Sequence, residues 1–390
     1  MGSTADVVVV GAGVIGLSVA WRSAQRGLAV TVVDPEPGSG ASWTAAGMLA
    51  PVTELHYEGR SLLALNRESA ARYPGFVAEL AALTGVDVGY RRCGTVQAAW
   101  DAADLAALRD LHAFQSSLGI DSRLLTAREL REAEPGLAAG LPGGLWAADD
   151  HQIDNRLLHG ALRRAAAAAG VREVRARVGG WLVRGDRVTG VGTEDGQHIG
   201  AATVVLAAGA WSATVGGPPG GAPAGGALAG GVLPPVRPVK GQTLRLRGPR
   251  GLLQHVVRGA VRGSPVYVVP RGDGGLVVGA SSEEAGFDLR PRAGAVYELL
   301  RDAQLLIPAL GEVHFDEVST SVRPGSPDNL PMIGPGMLDG LIVATGHYRN
   351  GILLAPLTAD AVADLVTGAE PDIDVAACDP RRFARSEVPA

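Results

Sequence analysis

The sequence predicts an α/β protein built on two sheets, one of mainly parallel strands and one of antiparallel strands. Three observations point to the parallel sheet: an apolar strand at residues 7–10, a glycine-rich turn directly after it, and a second apolar strand at residues 29–33 beyond an intervening helix. Strand, turn, helix and strand in this order open a doubly wound sheet. Apolar strands at residues 202–207 and 340–345 are expected to extend this sheet from distant parts of the chain.

The glycine-rich turn reads GAGVIG at residues 11–16, the G-x-G-x-x-G pattern of dinucleotide-binding folds. Gly11 permits the tight turn, Gly13 lets backbone N–H groups approach a pyrophosphate, and Gly16 lets helix and strand pack closely. The helix that follows would direct the partial positive charge of its N-terminus at the phosphates. Asp34, after the second strand, is placed to accept hydrogen bonds from the adenosine ribose. Together these features predict a bound dinucleotide.

The other elements follow from hydrophobic periodicity and turn residues. Helices are expected at residues 14–26, 60–83, 102–118, 157–169, 293–306 and 352–365. Short strands are expected at residues 173–178, 181–184 and 188–193, and antiparallel strands at 236–246, 256–261, 266–269, 276–280 and 312–322. The Gly/Pro/Ala tract at residues 216–235 has almost no charge and is expected to be a flexible surface loop.

Because the two kinds of strand alternate along the chain, the two domains are expected to be interleaved. Residues 1–50, 141–235 and 323–390 are predicted to form a discontinuous cofactor domain, and residues 51–140 and 236–322 a substrate domain.

Composition narrows the class of protein. The chain has 390 residues, of which 46% are hydrophobic and 19% charged, as in a folded protein of two or three domains. A net charge of −5 argues against a nucleic-acid or anionic-membrane partner. Cys93 and Cys378 lie far apart, so neither a disulfide framework nor a metal site is expected. Apolar runs are short and no basic leader is present, which predicts a cytoplasmic protein without a membrane span.

Further segments follow the glycine turn and Asp34 in a recognisable order. They are residues 45–49, 204–212, 266–270, 322–324 and 346–353, the last reading GHYRNGIL. The set resembles the D-amino-acid oxidase superfamily of FAD-dependent amine oxidases, and most closely the glycine oxidases of the thiamine pathway. The resemblance covers nearly the whole chain apart from the Gly/Pro tract. It implies a Rossmann-like FAD-binding domain interleaved with an antiparallel-sheet substrate domain, and non-covalent FAD.

The expected FAD site combines the glycine turn, a loop of small residues at 42–48 and the C-terminal turn. A helix beginning near Gly351 or Ile352 would stabilise negative charge on the reduced flavin. Val178 matches a strand that holds the adenine in the family, although a plain core valine is the other interpretation. The residues expected to bind FAD are Gly11, Gly13, Val14, Ile15, Gly16, Asp34, Pro35, Ala41, Ser42, Ala46, Gly47, Met48, Val178, His347, Tyr348, Arg349, Asn350, Gly351, Ile352 and Leu353.

Arginine suits a substrate carboxylate because its planar fork matches two oxygens and stays charged. Arg323 follows an apolar strand and matches the family's carboxylate-binding arginine. Arg349 and Tyr267 match other substrate-site positions of the family, so the resemblance assigns catalysis to Tyr267, Arg323 and Arg349. Ala50 is a further expected substrate contact, standing where glycine oxidases of bacilli have a glycine near the entrance.

The resemblance therefore implies oxidative deamination of glycine and other small amino acids or amines. Hydride passes from the α carbon to FAD, the imine hydrolyses to glyoxylate and ammonia, and O2 is reduced to H2O2, with thiamine thiazole biosynthesis as the setting. Orientation and electrostatics suffice for this chemistry, and no strong protein base is invoked. A D-amino-acid or sarcosine-like secondary-amine dehydrogenase or oxidase is the alternative, and a non-catalytic dinucleotide-binding protein a distant one. The preferred amine, the electron acceptor and a homo-oligomeric state are left open.

Overall fold

A computed structural model describes residues 3–55, 59–216 and 233–384, and it confirms the predicted α/β class. Most of the Gly/Pro tract predicted as a loop lies outside the described residues. In the described ranges the strands are β1 (Ser3–Val10), β2 (Val30–Val33), β3 (Met48–Leu49), β4 (Thr95–Ala98), β5 (Arg123–Thr126), β6 (Gly143–Ala147), β7 (His151–Gln152), β8 (Arg172–Val174), β9 (Val178–Arg184), β10 (Arg187–Thr193), β11 (His198–Leu206), β12 (Arg237–Arg247), β13 (Val256–Val261), β14 (Ser264–Pro270), β15 (Gly275–Gly279), β16 (His314–Gly325), β17 (Met332–Pro335) and β18 (Leu341–Thr345). The helices are α1 (Val14–Gln25), α2 (Ala41–Thr44), α3 (Arg60–Thr84), α4 (Ala102–Ser117), α5 (Ala127–Ala133), α6 (Asn155–Ala168), α7 (Ala293–Leu306) and α8 (Ala355–Thr367).

The first sheet has the order β17-β18-β11-β1-β2-β8, with β10 joining β11 and β9 joining β10. Its centre is parallel, because β1 lies between β2 and β11 with both running in the same direction. The Val-rich strands are buried on both faces, as parallel sheets require. This places the carboxyl ends of β1, β2 and β11 side by side, where ligands bind in such folds.

Four helices, α1, α3, α6 and α8, pack together in the core beside this sheet. Trp21 on α1 and Tyr73 on α3 are fully buried there, with Phe76 packed edge-on against both rings. The Tyr73 hydroxyl donates to the Ile352 carbonyl at 2.5 Å, and the Ser69 hydroxyl donates to the Leu353 carbonyl at 2.6 Å. Helix α3 therefore anchors the C-terminal turn that precedes α8.

The second sheet has the order β16-β12-β15-β14-β13-β4-β6-β5 and is antiparallel except between β13 and β4. Helix α7 packs on one of its faces through Leu299, Ala303 and Leu306. In register, Tyr267 on β14 lies between Arg258 on β13 and Gly279 on β15. The side chains of Arg258 and Tyr267 line the cavity described below.

The structure departs from the sequence expectations at three places. Strands β4, β5 and β6 and helix α5 occur where no element is predicted, between or after the helices expected at residues 60–83 and 102–118. Strand β6 joins the second sheet, although residues 141–235 are predicted as cofactor domain. Helix α3 packs with the first sheet, although residues 51–140 are predicted as substrate domain. Helix α8 begins at Ala355 rather than near Gly351, because residues 351–354 form turns before it. The division into domains otherwise stays a prediction.

No helix within the described part of the chain is long and apolar enough to cross a membrane.

Candidate active site

One continuous cavity of about 1550 Å³ runs from the carboxyl ends of β1 and β2 to the face of the second sheet. Sites for ordinary small ligands measure roughly 300–1,000 Å³, so this cavity has room for a dinucleotide together with a small second ligand. Asp34 and Val178 line one end, and Tyr267, Arg323 and Arg349 line the other. The structure thus brings the expected cofactor and substrate residues into one space.

The glycine turn has the geometry that its sequence predicts. Gly11 has φ of +108°, and a Cβ there would collide with the Ala207 carbonyl, directly after the neighbouring strand β11. A Cβ at Gly16 would collide with the Gly11 carbonyl oxygen, so the helix can approach the turn only without a side chain. Helix α1 starts at Val14 with Gly13 as its N-cap, and Gly13, Val14 and Ile15 all line the cavity.

The Asp34 carboxylate lines the cavity and also holds the glycine turn in place. Its Oδ2 accepts the Ala12 amide at 2.7 Å, and its Oδ1 accepts the Glu36 amide at 2.8 Å. A carboxylate has about four lone-pair sites, so Asp34 can still accept a ribose hydroxyl. Pro35, Ala41 and the buried Val178 line the same part of the cavity.

The loop of residues 42–48 joins the two halves of the cavity. The Ser42 hydroxyl accepts the Val14 amide at 3.0 Å, which ties the loop to the start of α1. The second sheet holds its other side: the Thr243 hydroxyl donates to the Thr44 carbonyl at 2.9 Å, and Arg271 Nη2 donates to the Ala46 carbonyl at 2.7 Å. Ser42, Ala46, Gly47 and Met48 all line the cavity, together with Ala50 beyond them.

The C-terminal turn contributes His347, Tyr348, Arg349, Asn350, Gly351 and Ile352 to the cavity lining. Leu353, also expected to bind FAD, lies instead in the core of the first sheet and is not among the described residues that line the cavity. The His347 imidazole is buried and lies 2.9 Å from the Thr358 hydroxyl. Burial lowers the pKa of His347 to about 3, so the ring stays neutral at neutral pH.

Tyr267 and Arg323 each lie over a glycine of a neighbouring strand. A Cβ at Gly279 would collide with the Tyr267 ring, and a Cβ at Gly241 would collide with the Arg323 guanidinium. Arg323 Nη1 donates to the Ser281 carbonyl at 3.1 Å. Burial raises the pKa of the Tyr267 phenol, which therefore remains a hydrogen-bond donor, and burial lowers the pKa of Arg323, with the nearby Arg349 adding to that effect.

An ion pair that the sequence reasoning missed also lines this end of the cavity. Arg258 on β13 and Glu54 approach to 2.5 Å, and their side chains are only 17% and 11% exposed. Burial acts to lower the pKa of Arg349, but the charge of Glu54 and the Tyr348 hydroxyl outweigh it, so that pKa is raised. An arginine within the apolar strand 256–261 was the one sequence signal for Arg258; Glu54 carried none beyond its closeness to the loop of small residues.

The residues present fit FAD. A turn that tolerates no Cβ at Gly11 or Gly16, a helix N-terminus and an acidic strand end suit the pyrophosphate and the adenosine ribose. Residues 42–48 and the C-terminal turn line the stretch between this end and the charged pocket, where the flavin ring would lie.

A parallel sheet with this glycine turn, opening through one cavity onto an arginine-rich antiparallel sheet, defines a flavin-dependent oxidoreductase. Residues 6–365 match the model of the family described as FAD dependent oxidoreductase, so the chain belongs to that family. Its cofactor is FAD.

Similar proteins extend the comparison. The chain is 37% identical to the bifunctional protein ThiO/ThiG of Synechocystis, across all of this chain and 56% of that protein, so it spans about half the length of the first such relatives. It is 36% identical to the glycine oxidase of Geobacillus kaustophilus over 95% of each chain. The crystal structure of that bacterium's glycine oxidase superposes with a TM-score of 0.89 at 34% identity, covering 98% of this chain and 100% of that one.

We expect Gly16→Ala to weaken FAD binding, because its Cβ would push α1 away from the glycine turn. Overpacking of this kind costs about 1–3 kcal/mol, which corresponds to roughly a 5- to 150-fold increase in the FAD dissociation constant. The measurement is FAD titration of the apoprotein by fluorescence. The matched control is Gly160→Ala on helix α6, where a Cβ meets nothing within 4 Å. FAD affinity equal in the two variants would contradict the assigned role of Gly16.

Proposed function

We propose that this enzyme oxidises glycine, converting glycine, O2 and water to glyoxylate, ammonia and H2O2. The observation that carries the proposal is the pocket at the second sheet, where Arg323 and Arg349 lie beside Tyr267. Two guanidinium groups and a phenol suit the carboxylate of a small amino acid. The 36% identity to a named glycine oxidase over nearly the full length supports this substrate.

The work of the protein in this reaction is binding and orientation. FAD, when bound, supplies the two-electron acceptor whose electrons O2 then takes up. Arg323 would bind the substrate carboxylate, with Tyr267 donating a hydrogen bond and Arg349 adding positive charge. We assign His347 no role as an acid or base, because its ring is hydrogen-bonded to Thr358 and burial lowers its pKa to about 3, which makes it a weak base. The proposed reaction therefore needs no strong base from the chain.

The test is a screen of peroxide release with glycine, sarcosine, D-alanine and D-proline. Glycine is expected to be oxidised with peroxide formed in equal amount. Faster turnover of sarcosine or D-proline would show that this amine, and not glycine, is the preferred substrate. Bleaching of the flavin without peroxide would indicate a dehydrogenase, and no bleaching with any of the four would refute an amino acid oxidase.

A role in thiamine thiazole biosynthesis is part of the proposal, supported by the ThiO/ThiG relative. A cytoplasmic location stays a prediction of the sequence.

We further propose that the FAD is non-covalent. Cys93 is half-buried and Cys378 is buried, and neither is among the described residues that line the cavity. Acid precipitation should therefore release the yellow colour into the supernatant. Flavin retained in the pellet after washing would instead show a covalent bond.

Arg323→Ala is expected to lower kcat/KM for glycine by roughly thirtyfold or more, since truncating one partner of a buried charge pair costs about 2–5 kcal/mol. Arg323→Lys should rescue only part of the loss, because a point charge cannot reproduce the bidentate fork. FAD content should stay near parental. Arg128→Ala, at an exposed arginine of α5, is the control. Parental glycine kinetics in Arg323→Ala would show that Arg323 does not bind the substrate carboxylate, and Arg349 would be tested next.

A further inference from the structure

The short turn at residues 51–54 carries the Glu54 carboxylate to the substrate end of the cavity. Its backbone forms one turn in which the Glu54 amide donates to the Ala50 carbonyl at 3.3 Å. Glu54 lines the cavity, and its charge acts on Tyr267, Arg323 and Arg349 alike. A carboxylate only 11% exposed is costly to desolvate, so its place among these groups in the cavity indicates a role toward the ligand.

Buried side chains from two other segments fix this turn. Asp150 accepts the Val52 and Thr53 amides, each at 2.8 Å, and the Thr53 hydroxyl at 2.5 Å. On the other side, Gln115 Nε2 donates to the Val52 carbonyl at 3.1 Å. Asp150 and Gln115 are both fully buried. The turn is thus held through two of its amides and a carbonyl, and Glu54 is presented on a rigid support.

Arg258 connects this turn to the second sheet. It lies directly opposite Tyr267 in the pairing of β13 with β14, forms the 2.5 Å ion pair with Glu54, and donates to the Thr53 hydroxyl at 3.3 Å. Because a carboxylate offers about four lone-pair sites, Glu54 can accept further donors while paired with Arg258. Arg258 therefore orients the carboxylate toward the cavity.

An amino acid brings two charged ends into the pocket, and the arginines can bind only one of them. Among the described residues, three other carboxylates line the cavity near this sheet, and each interacts with groups other than the arginines beside Tyr267: Glu283 accepts from Gln242, Asp302 pairs with Arg301, and the charge of Glu298 on α7 also acts on Arg301. We propose that Glu54 binds the amino group of the substrate, and that Arg258, Thr53 and Asp150 are its positioning residues. This inference rests on the proposed amino acid oxidation.

The test compares two ligands of the FAD-loaded enzyme, one with an amino group and one without. Glu54→Gln should raise the KM for glycine at least tenfold in the peroxide assay. The dissociation constant of acetate, a carboxylate without an amine, followed by the flavin absorbance, should stay the same or fall, because Arg323 is intact and a negative neighbour is gone. Glu132→Gln, at an exposed glutamate of α5, should leave both values unchanged.

Any other result of these measurements contradicts either the amino-group site or the proposed function. A parental KM for glycine in Glu54→Gln would refute the amino-group site, and so would equal weakening of glycine and acetate, which would show general damage to the pocket. If Glu54→Gln does not fold, Arg258→Lys is tested in its place. Arg258→Lys should raise the KM for glycine by a larger factor than it raises the dissociation constant of acetate. Equal factors would contradict the inference. A parent enzyme that releases no peroxide from glycine refutes the proposed function itself, whatever the variants do.

Discussion

A buried arginine, Arg271, ties the cofactor loop to the second sheet, and the shape of the cavity depends on this tie. Its guanidinium donates to the Ala46 carbonyl at 2.7 Å, the Ile153 carbonyl at 3.0 Å and the Gln152 side chain at 2.6 Å. A buried charge costs several kcal/mol unless it is paired and hydrogen-bonded. The Nη groups of Arg271 have these three acceptors and its Nε lies 3.5 Å from the Asp154 carboxylate, so the buried charge is tolerated only with the loop and the segment of residues 152–154 in place. The two halves of the site are thus held in one fixed relation.

The second sheet makes room for the substrate by omitting side chains. Gly279 and Gly241 lie beneath Tyr267 and Arg323, and any Cβ there would lift these groups into the pocket. Glycine in a strand interior weakens the strand. Two glycines on one sheet therefore lower its stability, and in return they leave the space that Tyr267 and Arg323 occupy beside the ligand pocket. The side chains of Tyr267 and Arg323 can therefore lie flat against the sheet while both line the cavity.

Local patterns predicted the cofactor half of the fold better than the substrate half. The glycine turn, α1 and Asp34 lie within one short stretch, so sequence spacing alone specifies their geometry. Strand β6 and the start of α8 were misjudged because their boundaries depend on distant partners: β6 on β4 and β5, and the turns before α8 on the anchors from α3. Glu54 escaped notice for the same reason, since its neighbours Arg258 and Asp150 lie far along the chain.

Under the proposed function, the two ends of the cavity bind ligands of different size and use different interactions to do so. A dinucleotide is large, so backbone amides, a helix terminus and apolar walls can give it sufficient contact. An amino acid as small as glycine has few atoms, and even the best tiny ligands gain only about 1.5 kcal/mol per non-hydrogen atom. Its recognition must come from full charges that are oriented in advance. The placement of Arg323 on the strand β16 and of Glu54 on an anchored turn provides such charges at this end of the cavity.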